Sequence, residues 1–253
     1  MTDKTVRRPI SWHSQAATHV GVVRKINEDA VAAVPNLGLW AVADGMGGYE
    51  AGDFASSTVV QALQNTAYVD DLPRFVDAVE DVLLDANQRI RDYAETELDG
   101  RTIGSTVVTL LIRGRLGVSL WAGDSRLYCL RGGKLLKLTD DHSHVEELVQ
   151  RGLLRSEEAE NHPQSNVITR AVGAQHELYL DANVFTVQFG DTFLLCSDGL
   201  YNAVNEDELV RGLALGDSEA IVDSLVATAL ANGARDNVSA IVVKGEVLHS
   251  FPH

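Results

Sequence analysis

Apolar residues recur along this chain with two different periods, and the change of period divides it. Between residues 72 and 98, Leu72, Phe75, Val76, Val79, Leu83, Ala86, Ile90 and Tyr93 return every three or four positions. That spacing predicts a long amphipathic helix with its acidic residues in water, ended by Gly100. A shorter helix is predicted over 51–67, with Phe54, Val59, Ala62 and Leu63 on its apolar side. From 104 to 139 the pattern becomes that of short strands: STVVTLLI, LGVSLWAG, RLYCLR and KLLKLT, separated by Arg113-Gly114-Arg115, Asp124-Ser125 and Gly132-Gly133. Links that short predict an antiparallel meander, with Gly132-Gly133 the strongest hairpin signal.

Upstream, residues 1–10 are polar and read as loose, Ser11–Ala17 has a mixed pattern, and Val20–Val23 is a short apolar run. Residues 30–34 and 37–43 read as strands joined by a tight turn at Pro35-Asn36. Downstream, Ser143 and Glu146 predict a capping box ahead of the short helix HVEELVQRG. A polar stretch with few apolar anchors follows, expected to leave the core. VFTVQF (184–189) and TFLLCS (192–197), joined at Gly190-Asp191, return to it. One helix then starts at Asn205, with Glu208 as its capping partner, and another spans 218–231 and ends at Gly233. The last strand is VSAIVV (238–243), and the tail EVLHSFPH has no assignment.

Strands and helices do not alternate, so a doubly wound parallel sheet is excluded. The expected fold class is α+β, a central sandwich of two antiparallel β-sheets flanked by helices in α-β-β-α layers. The wholly apolar TFLLC and SAIVV suit strands covered on both faces. No repeat or low-complexity linker interrupts residues 1–253, which read as one domain.

Charge narrows the function classes. Asp and Glu number 36 against 21 Lys and Arg, a net charge of −15. A field of that sign repels nucleic acid and anionic membranes and attracts divalent metals. Cys129 and Cys196 both lie in apolar strand-like runs without a CxxC or a His at ligand spacing, so they read as reduced core thiols. No signal sequence opens the chain and no run reaches the length of a membrane span, so the expected setting is the cytoplasm.

Three aspartates punctuate the apolar runs. GLWAVA stops at Asp44-Gly45, TFLLCS stops at Asp198-Gly199, and Asp236-Asn237 opens VSAIVV. A carboxylate at the end of a buried strand is costly unless paired or metal-bound, and hard oxygen donors point to Mg2+ or Mn2+ over Zn2+. An Asp-Gly turn at a strand end is also common, and the residues alone leave both readings open. Arg24, Glu28 and Asp29 precede a strand and add a guanidinium fork suited to phosphate oxygens, or alternatively a surface ion pair.

The motifs taken in order resemble a family. Arg24…Asn27-Glu28-Asp29, Val42-Ala43-Asp44-Gly45-Met46-Gly47-Gly48, Gly104-Ser105-Thr106, Gly123-Asp124-Ser125-Arg126, Asp141-His142-Ser143, Thr169-Arg170-Ala171-Val172-Gly173, Ser197-Asp198-Gly199-Leu200 and Asp236-Asn237 run from about His19 to Val243. Together they resemble the metal-dependent serine/threonine protein phosphatases of the 2C type, in their compact bacterial form. The resemblance implies the sandwich fold and hydrolysis of phosphoserine and phosphothreonine in proteins by water activated between two Mn2+ or Mg2+ ions. By that likeness Asp44 bridges the metals, the Gly45 carbonyl contributes to one, and Asp198 and Asp236 complete the other. Glu28 acts through water, Asp29 and Asn237 support the site, and Arg24 clamps the phosphate. Asp124, with Asp198, matches a third metal position of bacterial members. Residues 142–168 match the family's flap, where Arg151, Arg155 and Glu157 are candidate substrate contacts or plain solvated surface.

Animal relatives carry a proton-donating His where this chain has Met46, which leaves His19 and His142 as the nearest candidates by motif. The implied partners are phosphorylated proteins and a Hanks-type Ser/Thr kinase or its targets, in some species within type VI secretion, with no nucleic acid and no membrane. A small-molecule or nucleotide phosphohydrolase, and a non-catalytic phosphoprotein-binding module, are the rival readings.

Overall fold

The structure, a computed structural model, describes residues 10–48, 51–159, 162–164 and 166–247. The expectation of a loose start therefore falls outside the described residues except at Ile10, as does the tail beyond Val247. In chain order the elements are β1 (Ile10–His19), β2 (Asp29–Val34), β3 (Leu39–Met46), α1 (Ala51–Gln64), α2 (Leu72–Glu97) and the two-residue β4 (Gly104–Ser105). Then come β5 (Val107–Arg113), β6 (Leu116–Ala122), β7 (Arg126–Arg131), β8 (Lys134–Lys137), α3 (His144–Gln150) and α4 (Ser156–Ala159). The chain continues through β9 (Asp181–Thr186), β10 (Thr192–Cys196), α5 (Asp198–Tyr201), α6 (Glu206–Leu213), α7 (Ser218–Ala231) and β11 (Val238–Val247).

Two antiparallel sheets form the centre, one in the order β1-β11-β10-β7-β8 and the other β2-β3-β5-β6-β9, with β4 beside β3. Strand alternation separates the layers. On β3, Leu39, Ala41 and Ala43 face out, sharing a core with Leu63 of α1 and Phe75, Val79, Leu83 and Ile90 of α2. Trp40 and Val42 face in, with Val108, Leu110, Phe193, Leu195, Ile241 and Val243 between the sheets. On the other side Leu194, Ala240 and Val242 meet Leu209 and Leu213 of α6 and Ile221, Val222 and Leu225 of α7. By the same alternation Asp44 follows Trp40 and Val42 towards the layer between the sheets. Among the described residues no helix is long and apolar enough to cross a membrane.

The expected α+β sandwich is what forms, but three local expectations change. The meander is broken: β5 pairs with β6 and β7 with β8, yet these pairs belong to different sheets. Gly123-Asp124-Ser125 is a crossing, and Gly123 makes it with φ at 109°, where an added Cβ would lie 2.6 Å from the Thr106 side chain. Gly190-Asp191 is a crossing of the same kind, because β9 pairs with β6 while β10 pairs with β7 and β11.

The mixed segment near the start is a ten-residue strand, β1, registered on β11 from Ile10↔Val247 to His19↔Val238. It lies at a sheet edge and is only partly covered, so its alternation is blurred. The apolar run after it is not a strand, and Val22 and Val23 are exposed. The turn at Pro35-Asn36 is a 3-10 turn closed by Gly38.

Local capping signals fare better. Ser143 accepts from the Glu146 N–H at the start of α3, and Asn205 and Glu208 form the reciprocal capping box of α6. The polar excursion is pinched at its base by a bridge between Ser143 and Ile168, with His144 N–H donating to the Val167 carbonyl.

Candidate metal centre

Antiparallel register brings distant acids to one end of the sandwich. Asp44 is near the end of β3 and stands opposite Asp29, the first residue of β2. Asp198 follows β10, Asp236 precedes β11, and Asp124 lies in the crossing after β6. Like charges directly opposite on paired strands are destabilising, so this gathering opposes the fold that holds it.

Hydroxyls and amides fix the backbone around these acids and one oxygen of Asp29. The Asp44 N–H donates to Thr106 Oγ1 at 3.0 Å, and Thr106 Oγ1 lies 2.7 Å from Ser125 Oγ, which ties the end of β3 to the Asp124 crossing. Ser197 Oγ donates to Asp29 Oδ2 at 2.8 Å. Asn237 acts as a staple: its Oδ1 accepts from the Glu28 N–H at 2.8 Å, and its Nδ2 donates to the Val20 and Ile26 carbonyls. One residue thereby holds the whole loop that carries Arg24 and Glu28. Gly45 N–H donates to the Glu28 carbonyl at 3.0 Å, and an added Cβ on Gly45 would stand 2.1 Å from the Gly52 carbonyl oxygen. Only glycine lets β3, the Glu28 loop and the start of α1 approach this closely.

The electrostatics follow from burial and crowding. Burial first, then the charges of Asp29, Asp198, Asp124 and Asp236, hold Asp44 well above the ordinary carboxylate range. Burial, then Asp124 and Asp236, raise Asp198 to about 7. Burial and then Asp141 raise Asp124 to about 6, and burial raises Asp29 to about 6 against the hydrogen bonds of Ser239 and Ser197. Glu28 is raised chiefly by burial, with Arg24 opposing. Mutually repelling buried acids are the pattern a cation relieves.

Glu28 Oε1, Asp29 Oδ1 and Asp198 Oδ1 are buried without any hydrogen-bond donor. Buried acceptors left unpaired are costly, and an all-oxygen set fits Mg2+ or Mn2+. The donor chemistry therefore fits such ions. The geometry is not closed, however: among the described residues no group of three or more His, Cys, Asp or Glu is placed to hold a metal ion as it stands.

Arg24 Nη2 donates to Asp236 Oδ2 at 2.6 Å. The residue expected to clamp phosphate and a residue expected to hold metal are here each other's partner.

Arg24, Glu28, Asp29, Asp44, Gly45, Asp124, Asp198, Asp236 and Asn237 thus meet at one end of the sandwich. Arg151, Arg155 and Glu157 are exposed in the excursion, where Arg151 pairs with Glu147 and Arg155 with Glu158. The excursion does reach the cleft through Asn166, a residue the sequence did not single out, which lines a groove with Asp198 and Asp236.

Of the two histidines, His142 has both ring nitrogens engaged. His142 stacks on Trp121, accepts from the Gly123 N–H at Nδ1, and meets Asp181 Oδ2 at 3.1 Å through Nε2. Burial keeps its pKa below the usual histidine value. His19 Nδ1 accepts from the Gly21 N–H. Thr106, Ser125 and Ser197 are supports that sequence reading missed as such. Their signal was a hydroxyl beside or opposite each strand-end aspartate.

Residues 21–241 match the family described as protein phosphatase 2C. The chain is 34% identical over 244 residues to the serine/threonine phosphatase stp of Listeria welshimeri, an alignment covering 93% of this chain and 97% of that one. Among solved structures it is similar to PppA, a key regulatory component of T6SS in Pseudomonas aeruginosa, at 44% identity and TM-score 0.88, covering 94% of this chain and 100% of that one. It is also similar to the catalytic domain of the serine/threonine protein phosphatase PstP in complex with two manganese ions, at 33% identity and TM-score 0.83, covering 94% and 99%.

Proposed function

The chain belongs to the protein phosphatase 2C family, and from that we propose that it hydrolyses phosphoserine and phosphothreonine in proteins with Mn2+ or Mg2+. The observation that carries this is the set of buried, mutually repelling carboxylates with unpaired oxygens at one end of the sandwich. Asp44, the Gly45 carbonyl, Asp198 and Asp236 would hold two cations, and Asp124 with Asp198 a third. Bound there, such ions supply Lewis acidity, lowering the pKa of water and offsetting phosphoryl charge.

The chain's own residues do the rest. Arg24 offers its guanidinium fork to the phosphoryl oxygens, a donor pair that matches their geometry and strengthens as charge develops. Glu28 accepts hydrogen bonds from water at the edge of the site. Asp29 and Asn237 act through their neighbours, Asp29 opposite Asp44 and Asn237 by fixing the Arg24–Glu28 loop. Met46 transfers no proton, and both nitrogens of His142 are engaged, so neither serves the leaving oxygen.

We read residues 1–253 as one phosphatase domain, with 142–168 as a flap beside the cleft. The cellular reading is reversal of a Ser/Thr kinase in the cytoplasm, and the likeness to PppA favours a type VI secretion setting. The test is steady-state turnover of a phosphothreonine peptide against a nucleotide, with Mn2+ and with chelator. Mn2+-dependent turnover favouring the peptide is expected. Preference for the nucleotide, or turnover indifferent to chelator, would contradict the reading.

A further inference from the structure

A groove of about 680 Å3 opens beside the carboxylates. Asp198, Asp236 and Arg24 in its lining belong to the site already described, while Val23, Asn232 and Arg235 extend it further. That volume suits a ligand far larger than one phosphoryl group, such as several residues of a peptide.

Arg235 is the cation in this lining whose charge is still unused. Arg24 contacts Asp236 and is assigned to the phosphoryl group, and Arg126, Arg131, Arg151, Arg155 and Arg170 are each paired with a carboxylate. Arg235 is exposed, and among the described residues it has no hydrogen-bond or ion-pair partner. Its backbone is nevertheless fixed on both sides. Ala234 is buried and its carbonyl accepts from the Val22 N–H at 3.0 Å, while Asn237 is stapled to the Glu28 loop. A guanidinium on a fixed root, unpaired, on the wall of a groove beside the reaction centre is placed to read a charge on what enters.

We propose that this groove receives the residues flanking the phosphorylated Ser or Thr, and that Arg235 selects an acidic side chain among them. This rests on the phosphatase reading above. The net charge of −15 works the other way at long range and favours basic peptides. At physiological ionic strength that field is screened beyond about 8 Å, whereas a contact with Arg235 is not. The local charge therefore decides between peptides that differ at one flanking position.

The test compares kcat/KM for phosphothreonine peptides carrying Glu, Ala or Lys at one flanking position, placed on either side in turn, at fixed Mn2+ and salt. The native enzyme is expected to prefer Glu over Lys by about 2–5-fold, the range of an exposed ion pair. Arg235→Ala brings that ratio to about one, and Arg235→Glu inverts it. A merely structural role would lower all peptides together and leave the ratio unchanged. A native ratio of one or below on both sides, or a ratio that survives Arg235→Ala, overturns the proposal while leaving the phosphatase reading intact. Failure of every peptide to turn over with Mn2+ overturns both.

Discussion

The sandwich buries aspartates in two contrasting ways. Asp191, with 1% of its side chain exposed, receives Arg131 through Nε at 2.8 Å and Nη2 at 2.7 Å, and also the Gln188 N–H at 2.7 Å. Asp141 is gripped by Arg126, which itself lies 3.6 Å from the centre of the Tyr201 ring. At the cleft, Asp44, Asp124 and Asp198 have no such partner, and burial first, then neighbouring acids, raises the pKa of each. Asp29 has only hydroxyl donors on one oxygen. The first kind of burial is complete within the chain. The second is incomplete by construction, and what completes it comes from outside. Unpaired charge that serves no fold is retained for chemistry.

The largest stability effect should come from the paired region. Arg131→Ala strands Asp191 in the interior and is expected to cost about 3 kcal/mol, the lower end of the range for breaking a buried pair because Arg131 is partly exposed. Denaturant unfolding measures it, and a loss below about 1 kcal/mol would mean that Asp191 is not dependent on its partner.

Arg24→Ala touches the other region and should leave stability nearly unchanged. It should lower kcat/KM for a phosphothreonine peptide about 100-fold, the scale of losing one transition-state donor. Arg24→Lys keeps the charge but not the fork and should recover only part of it. Equal activity in all three enzymes would show that Arg24 serves only Asp236.

Proton linkage gives a smaller test. Asp198 has a folded pKa of about 7, above the ordinary carboxylate value near 3.9. The native state therefore binds this proton more tightly than the unfolded chain does. Stability from that group is present at low pH and is lost as pH rises towards and through 7. In chelator, Asp198→Asn should melt close to the native protein near pH 4 and above it at pH 8. A difference that does not grow with pH would contradict the account.

Smallest of all is a third mode of burial, keeping the group neutral. Burial pushes the Cys129 and Cys196 thiols up to about 12. Alkylation should be negligible in the folded protein and complete on unfolding. Labelling of the native state would show that the core around these thiols opens.

The same contrast explains what could be read in advance. Phe75, Val79, Leu83, Ala86 and Ile90 line the buried face of α2 as their spacing indicates, and the Asn205–Glu208 box forms, because both depend on neighbours three or four residues away. Whether Asp124-Ser125 turns a hairpin or crosses between sheets depends on pairing with β9 and β10, far along the chain, and was not legible. β1 was missed because, partly covered at a sheet edge, it shows a blurred alternation, and the β11 strand it pairs with lies more than two hundred residues away.

At the site, three strand-end aspartates stood out as a pattern, but that pattern alone did not separate ligand from turn, and the ordered motifs tipped the reading. The contact of Arg24 with Asp236 left no trace in the sequence, since it spans 212 positions.

The most direct test pairs Asp44→Asn with Asp191→Asn, measuring Mn2+-supported turnover and, separately, melting in chelator. Asp44→Asn is expected to lose most turnover and to melt no lower than the native protein, while Asp191→Asn melts lower and its folded fraction still turns over substrate. Near-normal turnover of Asp44→Asn with Mn2+ present would contradict it.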